Sequence, residues 1–197
     1  MRKPVKTLTF ITCAVLSCFL SSAQLKLPSI NGLGADVKKV INDYPNRFIN
    51  LMGEVASQNT QSVDYKCNFN VNGAEESYVT RYSAKKEICS WQALMLTTEN
   101  FDKAKQKFKS LYNQLNNLGV ELGGNKSLHL KGKYESPTEE MKFTSILFSL
   151  DPENELASKL KVEITMEYQA PMEWKVKVLV YDREREDAER GKTTESD

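Results

Sequence analysis

A chain of 197 residues with a hydrophobic fraction of 40% is long enough for one domain with a full core, or one domain with tails. Its 27 basic and 26 acidic side chains nearly cancel, which excludes the strong basic excess of a dedicated nucleic-acid binder.

The first residues have the layout of a secretory signal. Arg2, Lys3 and Lys6 form a positive start, and Leu8 to Leu20 is a mostly apolar run, too short for the roughly 20 residues of a comfortable membrane span. Ser21, Ser22 and Ala23 place small residues where a signal peptidase needs them, so cleavage after Ala23 is expected, leaving Gln24 at the new N-terminus. Val15-Leu16-Ser17-Cys18 is a poor lipobox, because Leu16 stands where a small residue is usual, and lipid anchoring at Cys18 is the less favoured route. Three of the 27 basic residues and no acidic residue lie in residues 1–23, so the remaining 174 residues carry 24 basic and 26 acidic groups. The expected address is the periplasm or the extracellular space. No other segment is apolar enough to cross a membrane as a helix. Two cysteines remain, Cys67 and Cys89, and in an oxidising compartment that count predicts a disulfide between them. Two buried thiols are the alternative.

Residues 24–35 have no hydrophobic period and read as an extended leader. Val37, Val40, Ile41, Tyr44, Phe48, Leu51, Met52 and Val55 then recur at helical spacing, with Pro45 as a kink or as the start of a second helix. The run from Ser62 to Val71 alternates like a strand, with Val63, Tyr65, Cys67, Phe69 and Val71 on one face. Asn72-Gly73 is a hairpin signal, Tyr78 to Tyr82 a return strand, and Cys89, Trp91, Ala93 and Met95 share a face of the next strand. Phe101, Ala104, Phe108, Leu111, Tyr112, Leu115 and Leu118 form the clearest helical stripe, with Thr98 or Asn100 as cap and Gly119 as stop. After a glycine-rich stretch read as a loop, strands are expected over 128–134, 141–150, 160–168 and 172–181. The tail 182–197 has four basic and seven acidic residues and nothing apolar beyond Ala188, so it cannot bury enough to order itself.

Hairpins joined by tight turns imply an antiparallel sheet, and one-sided strands need a cover. The expected fold is therefore a single α+β domain over residues 36–181. An antiparallel sheet of about six or seven strands packs against two amphipathic helices in two layers.

No motif fixes an activity. His129 is the sole histidine and alternates with Leu128 and Leu130, which places it on the polar face of a strand; general-base work needs a partner and a pocket. Two cysteines and one histidine without a C-x-x-C make a poor zinc set. Asp151 to Glu155 lacks the spacing and central glycine of a calcium loop. The acidic pairs Glu75-Glu76 and Glu139-Glu140 sit in turn-like segments, where carboxylates are ordinarily solvated. No cofactor and no metal are expected.

Two surfaces remain as binding candidates. Lys103, Lys105, Lys107 and Lys109 line one helix, either as a solvated face or as a surface for lipid headgroups or an acidic partner. The strand over 141–150 is apolar on both sides, with Phe143 and Leu147 on one and Ile146, Phe148 and Leu150 on the other. Ile146, Phe148 and Leu150, with Leu179 and Tyr181, are expected to lie away from the helices. There they are either covered by the first helix or leader, or open to an apolar ligand or protein partner. The expected function is that of an exported, non-catalytic binding or envelope-accessory domain. The alternatives are a structural component of an envelope complex and a secreted enzyme using carboxylates with His129.

Overall fold

The computed structural model describes residues 32–82, 88–123, 125–153 and 155–182. The expected signal, most of the leader and the tail beyond Asp182 lie outside them.

The first helix, α1, spans Leu33–Asp43, so it begins inside the stretch read as leader, and it buries Leu33, Val37, Val40 and Ile41 at helical spacing. The apolar period runs on past Asp43, but the helix does not. Pro45 lies in a 3-10 turn, Tyr44–Asn46, a second follows at Ile49–Leu51, and between them Arg47 and Phe48 take left-handed backbone angles (φ 55° and 58°) that reverse the chain. The Asp43 carboxylate fastens this corner by accepting bonds from Asn46 Nδ2 (3.0 Å), Asn50 Nδ2 (2.7 Å) and the Asn50 backbone N–H (3.1 Å). Met52 and Val55, expected on the helix, instead belong to strand β1, Met52–Gln58.

Strands β2 (Ser62–Cys67), β3 (Glu76–Tyr82) and β4 (Ile88–Thr98) follow. Helix α2 covers Phe101–Leu115; Asn100 caps it, its Oδ1 accepting the Lys103 backbone N–H at 2.9 Å. The helix ends at Asn116–Asn117, where Asn117 has φ 67°, and not at Gly119. Gly119 starts β5 (Gly119–Leu122), and a turn through Gly123 at φ 65° leads into β6 (Asn125–Lys131). The remaining elements are β7 (Phe143–Asp151), a one-turn helix α3 (Glu155–Lys159), β8 (Leu160–Gln169) and β9 (Glu173–Asp182). Asp182, assigned to the tail from sequence, ends a paired strand and accepts a bond from the Tyr44 hydroxyl at 2.5 Å.

The domain is α+β with one antiparallel sheet, and its nine strands exceed the six or seven expected, because β1 had been read as helix and β5 as loop. The order is β1-β2-β3-β4-β9-β8-β7-β6-β5. Two meanders, β1 to β4 and β5 to β9, therefore meet through their last strands. Helix α2 carries the chain from the centre of the sheet to its far edge and packs on β4, β8 and β9, while α1 packs on β5 and against α2. Register aligns apolar rows beneath this helix layer: Val79–Trp91–Val180–Val162–Phe148 and Ala93–Val178–Ile164–Ile146. Every member of both rows is buried. At full burial each valine, isoleucine or phenylalanine of these rows contributes about 1.5–3 kcal/mol.

No disulfide joins Cys67 to Cys89. They lie on β2 and β4 with β3 between them, which separates them by about 9.5 Å across the sheet. Lys66 aligns through Tyr78 with Gln92, whereas Cys89 aligns through Arg81 with Val63. The offset along the strands is thus about four residues, or ~13 Å, and a bridge needs Cα atoms within about 7 Å. The strand faces rich in apolar neighbours had suggested a bridge; they indicate burial instead. Cys67 Sγ accepts the Trp91 indole N–H at 3.1 Å, and burial pushes its thiol pKa up.

Candidate functional site

The two faces of the sheet differ. The inner face meets the helices. The outer face bears no helix among the described residues, and alternation along each strand decides what it shows. Along β7 the outward positions are Phe143, Ser145, Leu147 and Ser149, and the inward ones are Thr144, Ile146, Phe148 and Leu150. This reverses the expected assignment. Ile146, Phe148 and Leu150 are core, while Phe143 is 57% exposed and Leu147 46%. The reason is the partner layer. Phe148 stacks on Tyr112 of α2 at 6.1 Å between centroids. Gly132 passes so close that a Cβ there would sit 2.8 Å from the Phe148 ring and 3.0 Å from Ile146. The apolar side that α2 and this glycine can approach becomes the inside.

Leu179 and Tyr181 do lie on the outer face, with different fates. Leu179 is half-buried between Gln92 and Glu163. Tyr181 is buried, and its hydroxyl donates to Glu163 Oε2 at 2.9 Å. The five residues expected to form one surface are thus divided between core and outer sheet. Phe143 and Leu147, the apolar residues of the other side of β7, are the ones that face outward. Register gives the outer rows as Tyr78–Gln92–Leu179–Glu163–Leu147 and Lys175–Glu167–Phe143. Two pairs of opposite charges close on this face. Lys66 holds Glu54 at 2.8 Å, and Lys177 bonds Glu167. The first pair depresses the Glu54 pKa and raises that of Lys66, chiefly through their hydrogen bond.

The four lysines of α2 also divide. Lys103 and Lys109 are exposed and Lys105 half-exposed, its ammonium 5.7 Å from the Phe101 ring centroid. Lys107 bends over the turn at Gly73 and donates to its carbonyl at 3.4 Å; burial lowers its pKa. It lines a cavity of about 260 Å³ with Leu33, Asn72, Met95, Leu111 and Gln114. A second cavity of about 270 Å³ lies between α1 and β5, beside Lys38, Asn42 and Glu121. Both are on the helix side of the molecule.

His129 is exposed on β6 directly opposite Asp151 of β7, which is exposed as well. Of the acidic pairs, Glu75 accepts bonds from the Thr97 backbone N–H and hydroxyl (2.9 and 2.8 Å), and Glu76 accepts the Tyr78 hydroxyl at 2.9 Å. Neither faces His129. Among the described residues no three His, Cys, Asp or Glu side chains are grouped to hold a metal ion, and no helix is long and apolar enough to cross a membrane. Comparison with protein-family models, with curated proteins and with solved structures finds no match to this chain.

Proposed function

We propose that this chain is an exported, non-catalytic binding domain that docks a protein partner on the helix-free face of its sheet. The observation that carries this reading is the exposure of Phe143 and Leu147 on that face, with half-buried Leu179 in register with Leu147 across Glu163 and charged side chains around them. Isolated exposed hydrophobes are common on monomers. Here they belong to aligned rows, and a mixture of apolar anchors and polar rim is what protein interfaces display. Apolar small molecules prefer concave pockets, and the two cavities described lie on the other side of the molecule. A protein surface fits this face better than a small ligand. The export half of the reading rests on Arg2, Lys3, Lys6, the apolar run behind them and the Ser21-Ser22-Ala23 cleavage signal.

The test places a photo-crosslinking amino acid at Leu147, at Phe143 and, as a control, at exposed Asn113 of α2, in the producing cell. One discrete adduct from the two sheet positions and none from Asn113 is the expected result. Mapping of the adduct is expected to give a chain beginning at Gln24. No adduct from Leu147 and Phe143, or the same adduct from Asn113, refutes the docking face. A chain retaining residues 1–23 refutes the export.

A further inference from the structure

The helix layer carries an unbalanced charge that the sheet does not. Helices α1 and α2 hold six lysines: Lys38, Lys39, Lys103, Lys105, Lys107 and Lys109. Against them stand three aspartates, two of which are engaged at home. Asp43 is buried in its asparagine corner, and Asp36 accepts the Asn72 backbone N–H at 2.7 Å. Among the described residues none of the six ammonium groups forms an ion pair. On the outer sheet face Lys66 and Lys177 each hold a glutamate. The two helices thus carry six basic against three acidic side chains, whereas the nine strands carry seven basic against nine acidic, and an anionic surface would orient the molecule with its helices toward it.

We infer that the exposed face of α1 and α2 docks onto an anionic phospholipid surface. Three features favour a lipid surface over an acidic protein. The free cations are all lysines, flexible point charges suited to a fluid array of headgroups, whereas arginine is the residue of planar, bidentate protein contacts. Four of them are spread along a 15-residue helix, about 22 Å long, with Lys103 stacked on Lys107 and Lys105 on Lys109. Lys103 and Lys109 are exposed and line neither of the two cavities. The inference concerns the layer opposite the proposed partner face and stands without it. If both hold, the membrane takes one side of the molecule and the partner the other.

The experiment is flotation of the purified chain with vesicles of phosphatidylglycerol and phosphatidylcholine, and with phosphatidylcholine alone to register any binding through the apolar N-terminal run. The variants are K103Q/K105Q/K109Q, the charge-keeping K103R/K105R/K109R, and a sheet-face control, K131Q/K161Q/K175Q. Urea unfolding confirms that each variant is folded. The expected result is a loss of at least about tenfold in binding to the anionic vesicles for the helix Gln variant, given the attraction of each lysine to an anionic surface. The Arg variant and the sheet-face control should retain binding, and raised salt should abolish it. Equal losses from the helix and sheet Gln variants reduce the effect to net charge and overturn the inference. So does equal binding to both vesicle types. Capture of soluble polyglutamate without binding to anionic vesicles overturns it in favour of an acidic protein partner.

Discussion

Phe143 and Phe148 lie five residues apart on one strand and are assigned to opposite faces, so truncating each to alanine separates the two surfaces of β7 energetically. Phe148 is 1% exposed. A phenylalanine buries about 200 Å² on full burial, which at ~25 cal/mol per Å² corresponds to roughly 5 kcal/mol; measured Phe→Ala costs in cores run about 3–5 kcal/mol. The stack on Tyr112 and the close approach of Gly132 leave few atoms free to collapse into the space, so Phe148→Ala belongs at the upper end of that range. Phe143 is 57% exposed, so less than half of its area leaves water on folding. The same bookkeeping limits its contribution to about 2 kcal/mol, and residual burial in the unfolded chain lowers that further. Urea unfolding at equilibrium is the assay, read by tryptophan fluorescence, since Trp91 and Trp174 are both buried in the folded state. The two variants should differ by at least about 2 kcal/mol, with Phe148→Ala the weaker protein. Equal losses, or a greater loss for Phe143→Ala, would show that β7 turns its other side to the helices, and the proposed partner face would fall with it.

Two further outcomes are expected. Unfolding the chain without reductant and treating it with iodoacetamide should alkylate both Cys67 and Cys89, whereas refusal of both, with a mass two hydrogens lighter, would contradict the strand order that separates them. Burial holds the Lys107 pKa below that of a free lysine, so the folded chain binds that proton less tightly than the unfolded one. Lys107 therefore costs stability while protonated, and the cost is relieved as pH rises through its folded pKa. Lys107→Met should be slightly more stable than the parent at neutral pH, by a fraction of a kcal/mol because the ammonium is partly solvated. That advantage should shrink toward alkaline pH in paired unfolding curves, and an advantage that grows with pH refutes the assignment.

Local patterns in the chain determined a good deal. A cap at Thr98 or Asn100, the helical stripe that starts at Phe101, the paired runs of β8 and β9 and the shared face of Cys89, Trp91, Ala93 and Met95 are all legible, because each depends on contacts or bonds within a few residues. The α+β class followed from their order. What failed was continuity. The apolar period running from α1 into β1 looked helical, since spacings of three and four can be met by chance across a corner that Pro45, Arg47 and Phe48 impose. Gly119 to Leu122 read as loop because glycine conceals a strand whose support comes from β6 and α1.

Three matters were decided only by tertiary structure. The pairing of β4 with β9 joins residues some 80 positions apart, and no local signal encodes it. Strand order placed β3 between the two cysteines, so apolar surroundings common to half-buried Cys67 and buried Cys89 did not bring them together. The sidedness of β7 is the third. A strand apolar on both faces carries the same period whichever side is inward, and the inside is the one that meets Tyr112 and Gly132. Alternation shows that a strand has two faces; the layer packed against it chooses which one is core, because only one of them can be removed from water by the helices.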